Sequence, residues 1–270
     1  MVTGASDGIG ASAARALRKR GDTVIVVGRS PAKTHAIAAE IGAESHVADF
    51  ADLGQVRTLA DELAHHERVD VLVNNAGLIA GPQRTLTADG HELTFQVNYL
   101  APFLLTMLLR QQLTSSGSIV INTSSRAGAA RSATVDLDDL DMARSYEPMR
   151  AYRSSKLANV LFTRELARRW ASVGVSTAAV HPGVVRTSWG LAGPPAVRLV
   201  VRSPLRLAMR TAEHGADTIV WLATSTPGKD WESGGYFADR KPARPNPVAD
   251  DPIVAKALWE HSEVLCGLVT

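Results

Sequence analysis

The stretch Thr3-Gly4-Ala5-Ser6-Asp7-Gly8-Ile9-Gly10, followed by an alanine-rich amphipathic run to about Arg20 that Gly21 closes, decides how this chain folds. Gly4 permits a tight turn, and Gly8 lets backbone approach a pyrophosphate. Gly10 allows a helix to pack closely on a sheet, while the N–H groups at that helix's start face the anion. A glycine-rich turn alone is weak evidence. Here it opens a helix and is followed by a second apolar strand at the distance expected of a βαβ unit. Only Met1 and Val2 precede the turn. The first strand belongs at the centre of such a sheet, so it is expected to be truncated, short of the ~5 residues of an ordinary strand. A few upstream residues are accordingly expected to belong to the protein.

Outward from this turn, short apolar runs alternate with longer amphipathic ones, the pattern of a parallel sheet with crossover helices. Val24 to Val27, Val69 to Val73, Ser118 to Ile121 and Val175 to Val180 read as strands buried on both faces. Ser30 and Pro31 suit the start of a helix that Gly42 ends. Asp52 with Gln55 reads as a capping box opening a helix to about His66. The stretches Leu93 to Leu113 and Met149 to Val173 read as long helices. No repeat or linker divides the 270 residues, so residues 1–270 are expected to form one α/β domain. Two segments break the alternation: a polar insert at 126–148, with Asp136, Asp138, Asp139 and Asp141, and the Gly/Pro-rich 186–212. Long connections of this kind serve as functional loops or lids. Arg198, Arg202, Arg206 and Arg210 fall four apart, one basic face on a helix. A solvated face is the favoured reading, over an acidic-substrate site or a peripheral membrane contact.

A net charge of +2 with no dense basic block excludes a nucleic-acid footprint. Cys266, the single cysteine, cannot form an internal disulfide. No apolar run approaches the ~20 residues that cross a bilayer, and the N-terminus lacks a signal peptide's pattern. The chain therefore reads as cytoplasmic. No metal-ligand spacing stands out, His65 and His66 read as solvated, and His181 reads as structural.

Cofactor choice is written at the end of the second strand, Val26-Val27-Gly28-Arg29. Folds that prefer NAD place a carboxylate there for the ribose hydroxyls. A guanidinium suits a 2′-phosphate, and so NADP. Further along, Tyr152-Arg153-Ser154-Ser155-Lys156 sets a phenol and an ammonium on one helix face. Such a pair alone usually decorates a surface. Three other motifs, however, end at the carboxyl edge where open α/β sheets bind ligands: Asn74-Asn75-Ala76-Gly77, Ser124-Ser125 and His181-Pro182-Gly183. Taken singly, Asn75 and Asn98 read as buried amides tying strand and helix ends, and Asp49 as a loop or capping residue.

Together, in order, the motifs TGASDGIG, Asp49, NNAG, Asn98, the serine pair, YRSSK and HPGVVRT closely resemble the short-chain dehydrogenase/reductase family over essentially the whole chain. VNYLAPFLLT, LDDLD, YRSSKLANVLFTRELARR and HPGVVRTSW are similar to its retinol-dehydrogenase-like and WW-domain-oxidoreductase-like branch. The membrane anchor of several retinol-active members has no counterpart here. The resemblance implies a Rossmann-type, doubly wound parallel sheet of about seven strands with helices on both faces. It implies Tyr152 as general acid/base and Ser125, rather than Ser124, as the group polarising the substrate oxygen. Lys156 would hold the nicotinamide ribose and lower the Tyr152 pKa, and Asn98 would hold a water on the proton path. Cofactor contacts would come from Gly4, Ser6, Asp7, Gly8, Ile9, Gly10 and Arg29, and from Asp49 and Phe50 beside the adenine. Asn75, Ala76, Gly77, Pro182, Gly183, Val185 and Thr187 would complete them. It also implies a homodimer through helices such as 93–113 and 149–173.

The resulting expectation is an NADP(H)-dependent interconversion of an alcohol and a carbonyl. Its alternatives are an NAD(H)-dependent dehydrogenase, a non-catalytic dinucleotide-binding regulator, and an epimerase or dehydratase using bound cofactor. Leu78, Trp189 and Leu191 hint at a hydrophobic small-molecule substrate.

Overall fold

The valine- and isoleucine-rich runs become strands where the pattern places them. In the computed structural model, which describes residues 1–115, 117–185, 193–194, 197, 199, 203 and 209–269, eight strands form one sheet. They are β1 (Val2–Thr3), β2 (Ile25–Gly28), β3 (Glu44–Val47), β4 (Val71–Asn74), β5 (Ile119–Thr123), β6 (Ser176–Val180), β7 (Gly235–Ala238) and β8 (Lys241–Pro242). Their spatial order is β3-β2-β1-β4-β5-β6-β7-β8. Every neighbouring pair is parallel except the β7–β8 edge. The expected seven strands are thus joined by a two-residue antiparallel eighth. Short as it is, β1 is central: Val2 pairs with Val26 on one side and Val73 on the other. Met1 extends that ladder by accepting the Val73 N–H at 2.9 Å. The chain winds outward from β1 to β3, then returns to start β4 on the opposite side. That reversal opens a crevice at the carboxyl ends of β1 and β4.

Helices α1 (Gly8–Lys19), α2 (Pro31–Ile41) and α9 (Ala212–Thr224) cover one face. Their core gathers Val2, Ala13, Ala14, Val26, Ile219 and Leu222. On the other face α3 (Leu53–Glu62), α5 (Ala101–Leu108), α8 (Pro148–Trp170) and α10 (Pro252–Leu265) bury Leu59, Leu104, Phe103, Leu161 and Phe162. Among the described residues no helix is long and apolar enough to cross a membrane.

Local expectations hold with two corrections. Ser30, Pro31 and Gly42 bound α2 as expected, Gly42 in the left-handed region with φ 62°. Asp52 caps α3 by accepting the Gly54 and Gln55 N–H groups. The reciprocal half of the capping box is missing, because Gln55 Oε1 accepts the Asp49 N–H at 3.0 Å instead. The expected helix 93–113 is broken. It runs as α4 (Leu93–Phe95), a π turn (Gln96–Leu100), α5 and α6 (Arg110–Thr114). Pro102 has no N–H to return to the carbonyl four residues back, which is that of Asn98. That carbonyl accepts from Asn159 Nδ2 at 3.0 Å. α8 matches its expected span and passes through a 3₁₀ turn to Gly174, φ 77°.

In the 126–148 insert only α7 (Arg126–Ala129) is helical. Its carboxylates serve the fold: Asp136 and Asp139 pair with Arg144, and Asp141 accepts the Glu92 N–H. This chain's own α10 packs against α5 and α8, the helices through which a homodimer is implied. Trp259 meets Phe103 and Phe162 at ring separations of 5.1 and 5.8 Å, and Ser262 bonds Tyr99 at 2.8 Å. Most of 186–212, with Thr187, Trp189, Leu191, Arg198, Arg202 and Arg206, lies outside the described residues.

Candidate active site

A cavity of about 760 Å³ opens along the carboxyl edge of the sheet. One end is floored by Gly4, Ser6, Asp7, Gly8 and Ile9, with Arg29, Asp49 and Phe50 beside them. Asn75, Ala76 and Gly77 form its middle. Ser125, Tyr152, Lys156, Pro182, Gly183 and Val185 line the other end. Gly10 and Asn98 stand behind this wall rather than in it, and Thr187 is outside the described residues.

The glycine loop is shaped by contacts that exclude side chains. Gly4 has φ 63°, and a Cβ there would fall 2.7 Å from the Ala76 Cα. A Cβ on Gly10 would fall 2.4 Å from the Gly4 carbonyl oxygen, so Gly10 works by close packing. Thr3 Oγ1 donates to Val73 O and accepts the N–H groups of Asn75 and Ala76. Asn75 Nδ2 donates to Thr3 O at 2.9 Å, tying the loop to the end of β4. Asp7 accepts the Gly8 N–H at 2.7 Å and meets Lys33 at 3.3 Å. Asp49 turns its own loop by accepting the Ala51 N–H. Arg29 is exposed at the cavity and makes no ion pair among the described residues.

At the far end two adjacent serines part company. Ser124 is buried and donates to Lys156 O at 2.6 Å. Ser125 lines the cavity and hydrogen-bonds the Tyr152 hydroxyl. Burial pushes the Tyr152 phenol up to about 12, and the Ser125 bond pulls against it. The ammonium of Lys156 lies 5.8 Å from the Tyr152 ring centre and donates to Thr123 O at 2.9 Å. Burial lowers it to about 8. The lowering of the Tyr152 pKa implied for Lys156 is opposed by this desolvation. Asn98 Oδ1 accepts the Leu78 N–H at 2.7 Å, while its Nδ2 donates to Leu78 O and Ser155 Oγ at 2.9 and 3.0 Å. A Cβ on Gly77 would sit 3.2 Å from Asn98 Oδ1 and 3.3 Å from Lys156 Nζ, a tight fit that would make these side chains give by a few tenths of an ångström.

His181 Nδ1 accepts the Arg126 N–H at 3.1 Å. Burial, then Arg126 and Arg210, push it down to about 4, so it is a neutral acceptor that fixes the start of α7. Residues not anticipated at the cavity include Ile79, Ala80, Leu93, Val97 and Val184, while Arg126 and Met209 come from the two expected loop segments. The apolar ones carried no signal beyond that of core residues. Away from the cavity, Glu44, His65 and His66 bring metal-ligand atoms within 4.8 Å of one another. Glu44 Oε1 accepts from both His46 and His66, a hydrogen-bonded cluster on edge strand β3. Contrary to expectation, His66 is half-buried there.

These residues fit a nicotinamide dinucleotide. A floor that includes Gly4, Gly8 and Gly77 runs from the opening of α1 to a buried ammonium, with the Ser125–Tyr152 pair beyond it. Fold and site together define a dinucleotide-dependent oxidoreductase class. The family model for short chain dehydrogenases matches residues 1–137. A Streptomyces sp. (strain C5) chain bearing a daunorubicin C-13 ketoreductase name is 40% identical, covering 99% of this chain and 92% of the relative. Retinol dehydrogenase 13 of Homo sapiens is also 40% identical, covering 99% of this chain and 84% of the relative. A crystal structure of a Mycobacterium Paratuberculosis protein of unassigned function superposes with a TM-score of 0.79 at 34% identity, covering 98% and 91% of the two chains. The chain belongs to the short-chain dehydrogenase/reductase family, in its retinol-dehydrogenase-like branch.

Proposed function

We propose that this protein, acting as one oxidoreductase domain, interconverts an alcohol and a carbonyl with NADP(H). The observation that carries the reading is the Ser125–Tyr152 hydrogen bond beside buried Lys156, at one end of a cavity whose other end is the glycine loop. When bound, the nicotinamide supplies or accepts the hydride. The chain's own residues handle the oxygen. In reduction Tyr152 donates its phenolic proton to the carbonyl oxygen, and in oxidation it takes the alcohol proton. Ser125 donates a hydrogen bond to the same oxygen and stabilises the charge that develops there. Lys156 holds the ribose and keeps a positive charge beneath Tyr152, while Asn98 fixes the Leu78 backbone that walls the pocket. Arg29 selects the 2′-phosphate as a fork of donors no ribose hydroxyl needs. Asp49 and Phe50 receive the adenine, Asn75 lines the middle of the site, and Thr187 meets the carboxamide. The two relatives with carbonyl- or retinol-linked names support this class of chemistry, and the apolar walls at Leu78, Leu93 and Val97 support a hydrophobic substrate.

The test is a panel of ketones, aldehydes and alcohols followed by nicotinamide absorbance, with NADPH and NADH in parallel. Tyr152→Phe should lose about 10²–10⁴-fold in turnover, the usual contribution of a positioned general acid, with NADPH binding by fluorescence retained. Full turnover by that variant defeats the mechanism. Tighter binding of NADH than NADPH defeats the role of Arg29. Product formation without net redox points to epimerisation or dehydration instead.

A further inference from the structure

The reaction as drawn leaves one cavity cation without a task. Arg126 directly follows Ser125, opens α7 and lines the cavity. Its backbone is pinned by the bond to His181, while its side chain is exposed. The carboxylates lining this cavity are Asp7 and Asp49, both at the glycine-loop end and both already engaged, with the Gly8 N–H and Lys33 and with the Ala51 N–H respectively. Neighbouring arginines have acidic partners: Arg210 pairs with Asp239, and Arg144 with Asp136 and Asp139. Among the described residues none pairs with Arg126. Residues 186–208, whose flanking Val185 and Met209 line the cavity, contain four arginines and neither Asp nor Glu. That segment cannot supply the missing carboxylate. The same cavity is lined by apolar residues such as Leu78, Leu93, Val97 and Val184. His181 stays neutral, so it does not compete for an anion.

We infer that Arg126 binds a carboxylate carried by the substrate, which makes the preferred substrate an oxo or hydroxy acid with an apolar body. The reasoning is one of complementarity. An exposed guanidinium lining the cavity, with no acidic partner among the described residues, gives a planar two-donor fork that matches a carboxylate. Its place beside Ser125 sets the acid group several bonds from the reacting carbon, within the length of an arginine side chain. This inference rests on the alcohol–carbonyl reading above.

Two measurements separate it from that reading. In the first, medium-chain oxo acids are compared with their methyl esters under NADPH. The wild type should favour the acid by tenfold or more in kcat/KM, mostly through KM. Arg126→Gln should erase most of that preference, and Arg126→Lys should recover part of it. Equal use of acid and ester by the wild type, or an equal loss on both in Arg126→Gln, overturns the inference. In the second, decanoate and 1-decanol are titrated calorimetrically into the NADP-saturated protein, which needs no turnover. Decanoate should bind at least tenfold more weakly to Arg126→Gln than to the wild type, with 1-decanol little changed. Unchanged decanoate affinity overturns the assignment of Arg126 even if oxo compounds are reduced. Absence of any NADPH oxidation sinks the redox reading, while the titration still decides whether Arg126 binds the acid.

Discussion

Tyr152 and Lys156 show how burial sets the chemistry of single residues. With its phenol pushed up to about 12, Tyr152 is a proton donor throughout the neutral range, and its basic form is scarce. Carbonyl reduction uses the protonated phenol, so it should hold level from about pH 6 to 7. It should decline only as Lys156, lowered to about 8, loses its charge. Alcohol oxidation consumes phenolate, so it should rise with pH over the same interval. Initial rates in both directions check this. A fall in reduction between pH 6 and 7 would mean that some group other than Tyr152 supplies the proton. The family resemblance, rather than spacing alone, pointed to these residues and to Ser125 over Ser124, whose hydroxyl is spent on the Lys156 carbonyl. The sequence could not show that Arg126 lacks an acidic partner among the described residues, because pairing of charges is a property of the folded surface.

Among the elements, the interrupted helix around Asn98 was the least legible. Residues 99–109 are apolar except for Thr106, and Gln96 to Leu100 are all buried, so the pattern alone reads a continuous helix. The signal was Pro102, which removes the bond to the Asn98 carbonyl and leaves it for Asn159. The Asn98 side chain then satisfies both the N–H and the carbonyl of Leu78, together with Ser155. We expect Asn98→Ala to cost about 1–3 kcal/mol, the usual penalty for orphaning buried polar groups. It should also lower turnover more than NADPH affinity, because the wall beside Lys156 is displaced while the glycine loop is not. Urea denaturation and fluorescence titration measure the two effects. Unchanged stability would mean that water replaces Asn98 without loss. Caps were easier to read, since Ser30, Pro31, Gly42 and Asp52 act within one turn. The Gln55 error arose because its amide found Asp49, a partner outside the capping box.

For the molecule as a whole, the parallel sheet was legible because each buried strand is a short apolar run between glycine- and asparagine-bearing turns. The covering of α5 and α8 was not, since it depends on where the last helix docks. α10 lays Trp259 against Phe103 and Phe162, with the Arg169 guanidinium 4.6 Å from its ring centre. Cys266, just past the end of α10, is buried, and desolvation holds its thiol well above the ordinary range. An apolar groove between two helices is satisfied equally by a second copy or by the chain's own segment, and here the segment occupies it. The protein should therefore behave as a monomer of 28.8 kDa in light scattering behind size exclusion. Trp259→Ala removes the largest side chain of that seal and should cost about 3–5 kcal/mol, as large aromatic truncations in cores do. Partial release of α10 re-exposes the apolar faces of α5 and α8, so the variant should also associate with rising concentration where the wild type does not. A wild-type dimer that persists at dilution, with Trp259→Ala as stable as the parent, would show that α10 does not seal these helices in solution.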